Sequence, residues 1–161
     1  MVKWLKITEY QYLGFFAPGL FFFALQELPY IIMAVFKLDG GPIMAMENKS
    51  AVLNTIEKVC GVTCIMLLLF VVRSDANRFS LVAAKEVVCF AAAMTAIIGY
   101  FIGWIFYWNG QQSLALMLGT LVALPPIYYA FLGLWRGNTP LSIMGFVFLA
   151  AHLSNVWNNL R

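Results

Sequence analysis

The chain has 161 residues, 63% of them hydrophobic and 11% charged, and a net charge of +3 from ten basic and seven acidic side chains. A soluble domain carries about 25% charged residues, so this composition, with a mean hydropathy of +0.85, excludes a water-soluble fold and makes the lipid bilayer the expected surroundings. The lysines and arginines are scattered and form no basic stripe, which excludes nucleic acid as a partner.

A polar N-terminus with Lys3 and Lys6 precedes a first apolar stretch at about 13–36. Its length, its Pro18 and the lack of a small-x-small cleavage site favour a retained anchor over a signal peptide. Pro29 leaves two boundaries open: one span, or a span over 13–28 followed by an interfacial piece over 30–36. The polar loop 37–50 follows, with Gly40, Gly41 and Pro42 as turn formers.

Four further apolar stretches, at about 52–72, 81–108, 113–134 and 141–157, each approach the ~20 residues that cross a hydrocarbon core. The expected fold is therefore an all-α integral membrane bundle of about five transmembrane helices in a single domain covering 1–161. Asn109 and Gly110 mark a tight turn, and Thr139 before Pro140 reads as an N-cap and first helical position. The short connections predict antiparallel neighbours.

Small residues Ala92, Ala96, Gly99 and Gly103 share one face of the third span. That face serves either packing within the bundle or a dimer or partner interface through Gly99 and Gly103. In the fourth span, adjacent Pro125 and Pro126 predict a break near its middle, which either lines a cavity or is a structural kink.

Basic residues favour a cytoplasmic N-terminus. Lys3, Lys6, Arg73, Arg78, Lys85 and Arg136 fall on the N-terminal side, against Lys37, Lys49, Lys58 and Arg161 on the other. Trp4, Tyr10, Trp104, Tyr107, Trp108 and Trp157 stand at span ends, as interfacial aromatics do.

Polar residues inside the spans carry the functional reading, because such groups are expensive in lipid. Glu27, His152 and the start of the second span all fall towards the same membrane side. His152, Asn155 and Asn159 form one helical stripe; Asn54, Glu57, Gly61 and Cys64 form another. The expected site is a cavity near the 37–50 loop. Glu27 and Glu57 act there as acceptors or proton carriers, and Asn54, His152 and Asn155 are its other ligand-binding groups. The alternative is a closed network that holds the helices in register. Lys85 and Glu86 lie at the other face, where snorkelling or interfacial pairing accounts for them.

Other chemistries find less support. Cys60, Cys64 and Cys89 lack a CxxC pair, and no metal site is expected from them. Ser154 stands two positions from His152 and points elsewhere on its helix, no GxSxG elbow occurs, and no Walker or dinucleotide loop suggests a cofactor.

Glu47-Asn48-Lys49, Ile56-Glu57-Lys58 with Gly61, residues 122–133, and Pro140-Leu141 with Ala151-His152 and Asn158 resemble a group of small uncharacterised membrane proteins of Gram-positive bacteria. The resemblance covers most of the chain and implies a multi-pass protein of the bacterial cytoplasmic membrane. It marks the same polar positions and implies no activity. In size and span number the chain is also similar to the tryptophan-rich sensory proteins that bind sterols and tetrapyrroles. Their tryptophan and proline motif around the first loop does not occur here, so that similarity concerns architecture alone.

The leading functional expectation is a non-enzymatic membrane protein that binds, and in one version translocates, a small hydrophobic or amphipathic ligand in an intramembrane cavity. The rival is an accessory or immunity-type subunit that docks on another membrane protein through its aromatic and Gly99/Gly103 surfaces. A third reading makes Glu57 and His152 an acid–base pair of an intramembrane enzyme.

Overall fold

The computed structural model describes residues 2–73 and 79–161; Arg78, one of the charges weighed for orientation, lies outside them. In chain order, strands β1 (Val2–Lys6) and β2 (Gln11–Phe15) lead into helix α1 (Ala17–Phe36). The short α2 (Gly41–Met44), α3 (Ala51–Phe70), strand β3 (Val71–Arg73) and α4 (Ala84–Trp108) follow. The fourth long helix combines α5 (Leu114–Leu116), a π-helical turn (Met117–Val122) and α6 (Leu124–Arg136), and α7 (Thr139–Leu160) closes the chain.

The protein is an all-α bundle with a small sheet, and among the described residues five helices are long and apolar enough to cross a membrane. Its outer surface carries Phe21, Val35, Val62, Ile98, Ile105 and Ile143 in exposed positions. So much outward apolar surface fits hydrocarbon surroundings and would be a liability in water. Inside lie Tyr100, Trp104, Tyr107, Tyr128 and Leu132, all essentially buried.

Helix starts follow local chemistry. Ser50 accepts from the Leu53 amide at 3.3 Å at the head of α3, and Ser113 accepts from the Leu116 amide at 3.3 Å. The cap of α7 is Asn138, one residue before the expected Thr139, because its carboxamide oxygen reaches the Leu141 amide at 3.1 Å. The same side chain donates to the Leu67 and Val71 carbonyls at 2.9 and 3.3 Å, tying the α6–α7 turn to the end of α3.

The sheet is the main departure from expectation. β2 is its middle strand, antiparallel to β1 and to β3, with Lys3 opposite Gly14 and Tyr12 opposite Val72. The first helix therefore begins at Ala17, not at about 13, and the second ends at Phe70, before the expected boundary at 72. Gly14 permits the tight approach of β1, since a Cβ there would overlap the Val2 carbonyl oxygen. The exposed edge strand β1 carries Lys3 and Lys6, charges that discourage further strand addition.

Pro29 does not divide α1, which runs unbroken to Phe36, so of the two open boundaries the single span is the one found. A single missing N–H is tolerated inside a packed membrane helix. Pro125 and Pro126 instead open the first turn of α6, where absent N–H groups cost little. The break they require is the preceding π-turn, closed by the Ala123 amide on the Leu118 carbonyl at 3.0 Å.

Space over the small-residue stripe of α4 is filled within the chain. A Cβ on Gly103 would overlap Thr120 Oγ1, and one on Gly99 would meet Leu124 Cδ1 at 2.9 Å. A second chain docking at that stripe would have to displace the fourth long helix.

Candidate functional site

Glu57 sits six residues into α3 and faces α7, the helix on which α3 packs most extensively. Its Oε1 lies 2.9 Å from His152 Nδ1, and its Oε2 accepts from Asn155 Nδ2. His152 and Asn155 are three positions apart, so one face of α7 delivers both groups to one carboxylate. An ionised carboxylate only accepts, so His152 donates through Nδ1 and its Nε2 is left as a lone-pair acceptor when the ring is neutral.

The stripe continues towards the helix end. Asn159 Nδ2 donates to Asn155 Oδ1 at 3.4 Å, while Asn159 Oδ1 accepts from the Lys49 amide at 3.0 Å. The 37–50 loop is thereby fastened to α7. It is held a second time by Tyr107, whose hydroxyl donates to the Gly40 carbonyl at 2.8 Å and accepts from the Ile43 amide at 3.0 Å. Span-end position identifies Tyr107 only as an interfacial aromatic; its place opposite the Gly40-Gly41 turn is a tertiary fact that no local signal reveals.

Glu57 and His152 open onto a cavity of about 560 Å³ between α1, α3, α6 and α7. Gln26, Glu27 and Tyr30 contribute from α1, Lys58, Gly61 and Ile65 from α3, Pro125 and Tyr129 from α6, and Phe148 from α7. The apolar side is aromatic, with Phe148 stacked on the His152 ring at 5.2 Å between centroids. Tyr129 donates to Gln26 Oε1 at 3.0 Å, fixing the wall where α1 meets α6.

Glu27, Glu57 and His152 thus share one cavity, and Asn155 supports it through Glu57. Asn54, one turn earlier on α3, is not among the cavity's lining residues and departs from the expected set. A full turn towards the helix start carries it past the cavity. With α1 starting at Ala17, Glu27 lies at mid-helix, about 15 Å from either end at ~1.5 Å per residue. Its side chain makes no hydrogen bond or ion pair with any other described residue.

Gln26, Tyr30 and Tyr129 join the site through the fold and do not stand out in the sequence. An amide one residue from Glu27, and tyrosines within apolar runs, are the only signals they give. Behind Tyr30, its ring packs on Trp104 at 5.6 Å, and Tyr100 packs on Trp104 at 6.2 Å. Tyr100 Oη and Trp104 Nε1 are buried without a hydrogen-bond partner among the described residues.

The other polar features have local duties. Glu86 Oε2 accepts from Ser80 Oγ at 2.9 Å and from the Val82 and Ala83 amides at 3.0 and 3.2 Å, securing the start of α4. Ser154 returns its hydroxyl proton to the Ala150 carbonyl at 2.7 Å. Cys60, Cys64 and Cys89 are buried free thiols, and no cluster of three or more His, Cys, Asp or Glu fit for a metal occurs among the described residues.

Comparison with protein families, with curated proteins and with solved structures finds no match.

Proposed function

We propose that the protein is a non-enzymatic membrane binder of a small amphipathic molecule, held in the cavity between α1, α3, α6 and α7. The observation that carries this reading is Glu27: a carboxylate at mid-helix, lining a cavity of about 560 Å³ and engaged by no other described side chain. A carboxylate at membrane depth is costly, and a closed structural network would have paired it. Glu57, by contrast, has one oxygen bonded by His152 and the other by Asn155, and acts as the support that aims His152.

The polar end of the ligand meets Glu27 and the free nitrogen of His152, with Lys58 at the exposed rim. Its apolar part lies against Ile65, Pro125, Tyr129 and Phe148. This mixture of apolar walls and few convergent polar groups is the usual make-up of a small-molecule site. The structure offers less to the accessory-subunit reading, because the Gly99/Gly103 stripe is already covered.

The test compares small molecules that copurify with the wild type and with Ile65→Trp, a substitution that fills the cavity from a half-buried wall position. Mass spectrometry of organic extracts should show an amphipathic species in the wild type and at least a several-fold loss in Ile65→Trp, with both proteins eluting as one monodisperse peak. Equal contents in two well-folded preparations would remove the basis for ligand binding here.

A further inference from the structure

A second, larger cavity of about 1010 Å³ lies at the sheet end of the bundle, away from Glu57. Its polar part is formed by Thr8 of the β1–β2 connection, Gln11 of β2, Arg73 of β3 and Thr139 of α7; its apolar part is formed by Leu67 and Ile143. The order along both helices is the same. From Arg73 back along α3 come Leu67 and Thr63, and from Thr139 along α7 comes Ile143, so the lining changes from cationic and hydroxylic at the bundle end to apolar at membrane depth. Thr63 adds no polarity there, because its hydroxyl is donated to the Val59 carbonyl at 2.7 Å.

We infer that this groove is a seat for an anionic phospholipid, with the phosphate at Arg73 and an acyl chain along Leu67 and Ile143. Charge complementarity supports that occupant: Lys3, Lys6 and Lys85 belong to the same end of the bundle as Arg73, and basic pockets between transmembrane helices hold anionic headgroups. Arg73 packs over Gly137, whose positive φ of 62° and missing Cβ leave room for the guanidinium. Arg73 is engaged within the chain, and a guanidinium presents five N–H donors in all. Thr8 Oγ1 accepts from the Gln11 amide at 3.2 Å and so retains its proton for the same anion. A free phosphate would use none of the apolar half. Ile143, 60% exposed, places that half on the lipid-facing surface.

Native mass spectrometry of the detergent-solubilised full chain tests the assignment, with phosphatidylglycerol and phosphatidylcholine of equal chain length as probes. The wild type should retain phosphatidylglycerol about tenfold better, because both lipids bring a phosphate but the choline cation of phosphatidylcholine offsets its charge beside Arg73 and the lysines of that end. Arg73→Gln should abolish that preference, and Ile143→Trp, at an exposed position, should lower retention of both lipids. If Arg73→Gln does not fold, the exposed Thr139→Val should still reduce the preference. Equal retention of both lipids by the wild type, an unchanged preference in the polar-end variant that folds, or displacement of phosphatidylglycerol by millimolar inorganic phosphate would each overturn the proposal. None of these readouts depends on the Glu27 cavity, so either site can fail alone.

Discussion

Glu57 and Glu27 are two carboxylates in one cavity with opposite circumstances, and that contrast yields separate expectations. Truncating Glu57→Ala removes the acceptor that His152 and Asn155 share. Because the Glu57 and His152 side chains keep 20% and 18% exposure, the coupling between them should be modest, on the order of 1 kcal/mol. A double-mutant cycle of Glu57→Ala and His152→Ala, read as thermal unfolding in detergent, measures it, and strictly additive effects would show that the pair is not a unit. Glu27→Gln removes no contact within the chain, so Tm should stay within a few degrees, or rise as a charge leaves the membrane interior. Ligand retention should nevertheless fall several-fold. A marked loss of stability in Glu27→Gln would mean that Glu27 serves the fold.

At the scale of elements, helix spacing is set by glycines that admit a neighbour's atoms. Gly103 faces Thr120 of the π-turn, and a Cβ on Gly145 would meet the Ala130 backbone at 2.7 Å; around Gly119, on the same π-turn, a Cβ would find nothing within 4 Å. Gly103→Leu should therefore separate α4 from the fourth helix and cost about 3 kcal/mol, seen as lost monodisperse yield, whereas Gly119→Ala should be neutral or slightly stabilising. Comparable yields for both variants would contradict the packing described. The long helices are legible in the sequence because each is an apolar run near membrane length, and the convergence of Glu57 with His152 is legible because antiparallel spans put residues early in one helix beside residues late in another. The sheet is not legible. Leu13 and Phe15 of β2 merge into the apolar run of α1, and Val71-Val72 of β3 reads as the tail of α3, so hydropathy alone absorbs both strands into spans. Gly14 inside the first run and the β-branched pair before Arg73 are the signals available. The cap of α7 falls one residue before the expected position because Thr139 is also a good cap, and the choice is made by the contacts of Asn138 with Leu67 and Val71.

For the whole molecule, the described residues form five helices long and apolar enough to cross a membrane, and five crossings would put the two termini on opposite sides. The sheet end contributes Lys3, Lys6, Arg73 and Lys85 to that side's charge, and Arg136 lies there too, buried with its guanidinium 4.2 Å from the Phe16 ring. Lys37, Lys49, Lys58 and Arg161 belong to the opposite end. Only charges that stay in aqueous loops weigh in orientation, so the buried Arg136 counts for less than a loop arginine, and the margin between the two ends is narrow. The expected orientation has the sheet cytoplasmic, which also sets the Arg73 groove in the leaflet where anionic lipid creates a negative surface potential. Paired reporter fusions at Arg161, one active only in the cytoplasm and one only outside, should report an external C-terminus. Given the narrow margin, Lys3→Gln combined with Lys6→Gln should shift a measurable fraction of molecules to the inverted orientation, while Gln111→Lys with Gln112→Lys should act in the same direction from the other end. A C-terminus that stays wholly external in both variants would show that loop charge does not decide the orientation of this bundle, and a cytoplasmic C-terminus in the wild type would reverse the assignment of the lipid groove to the inner leaflet.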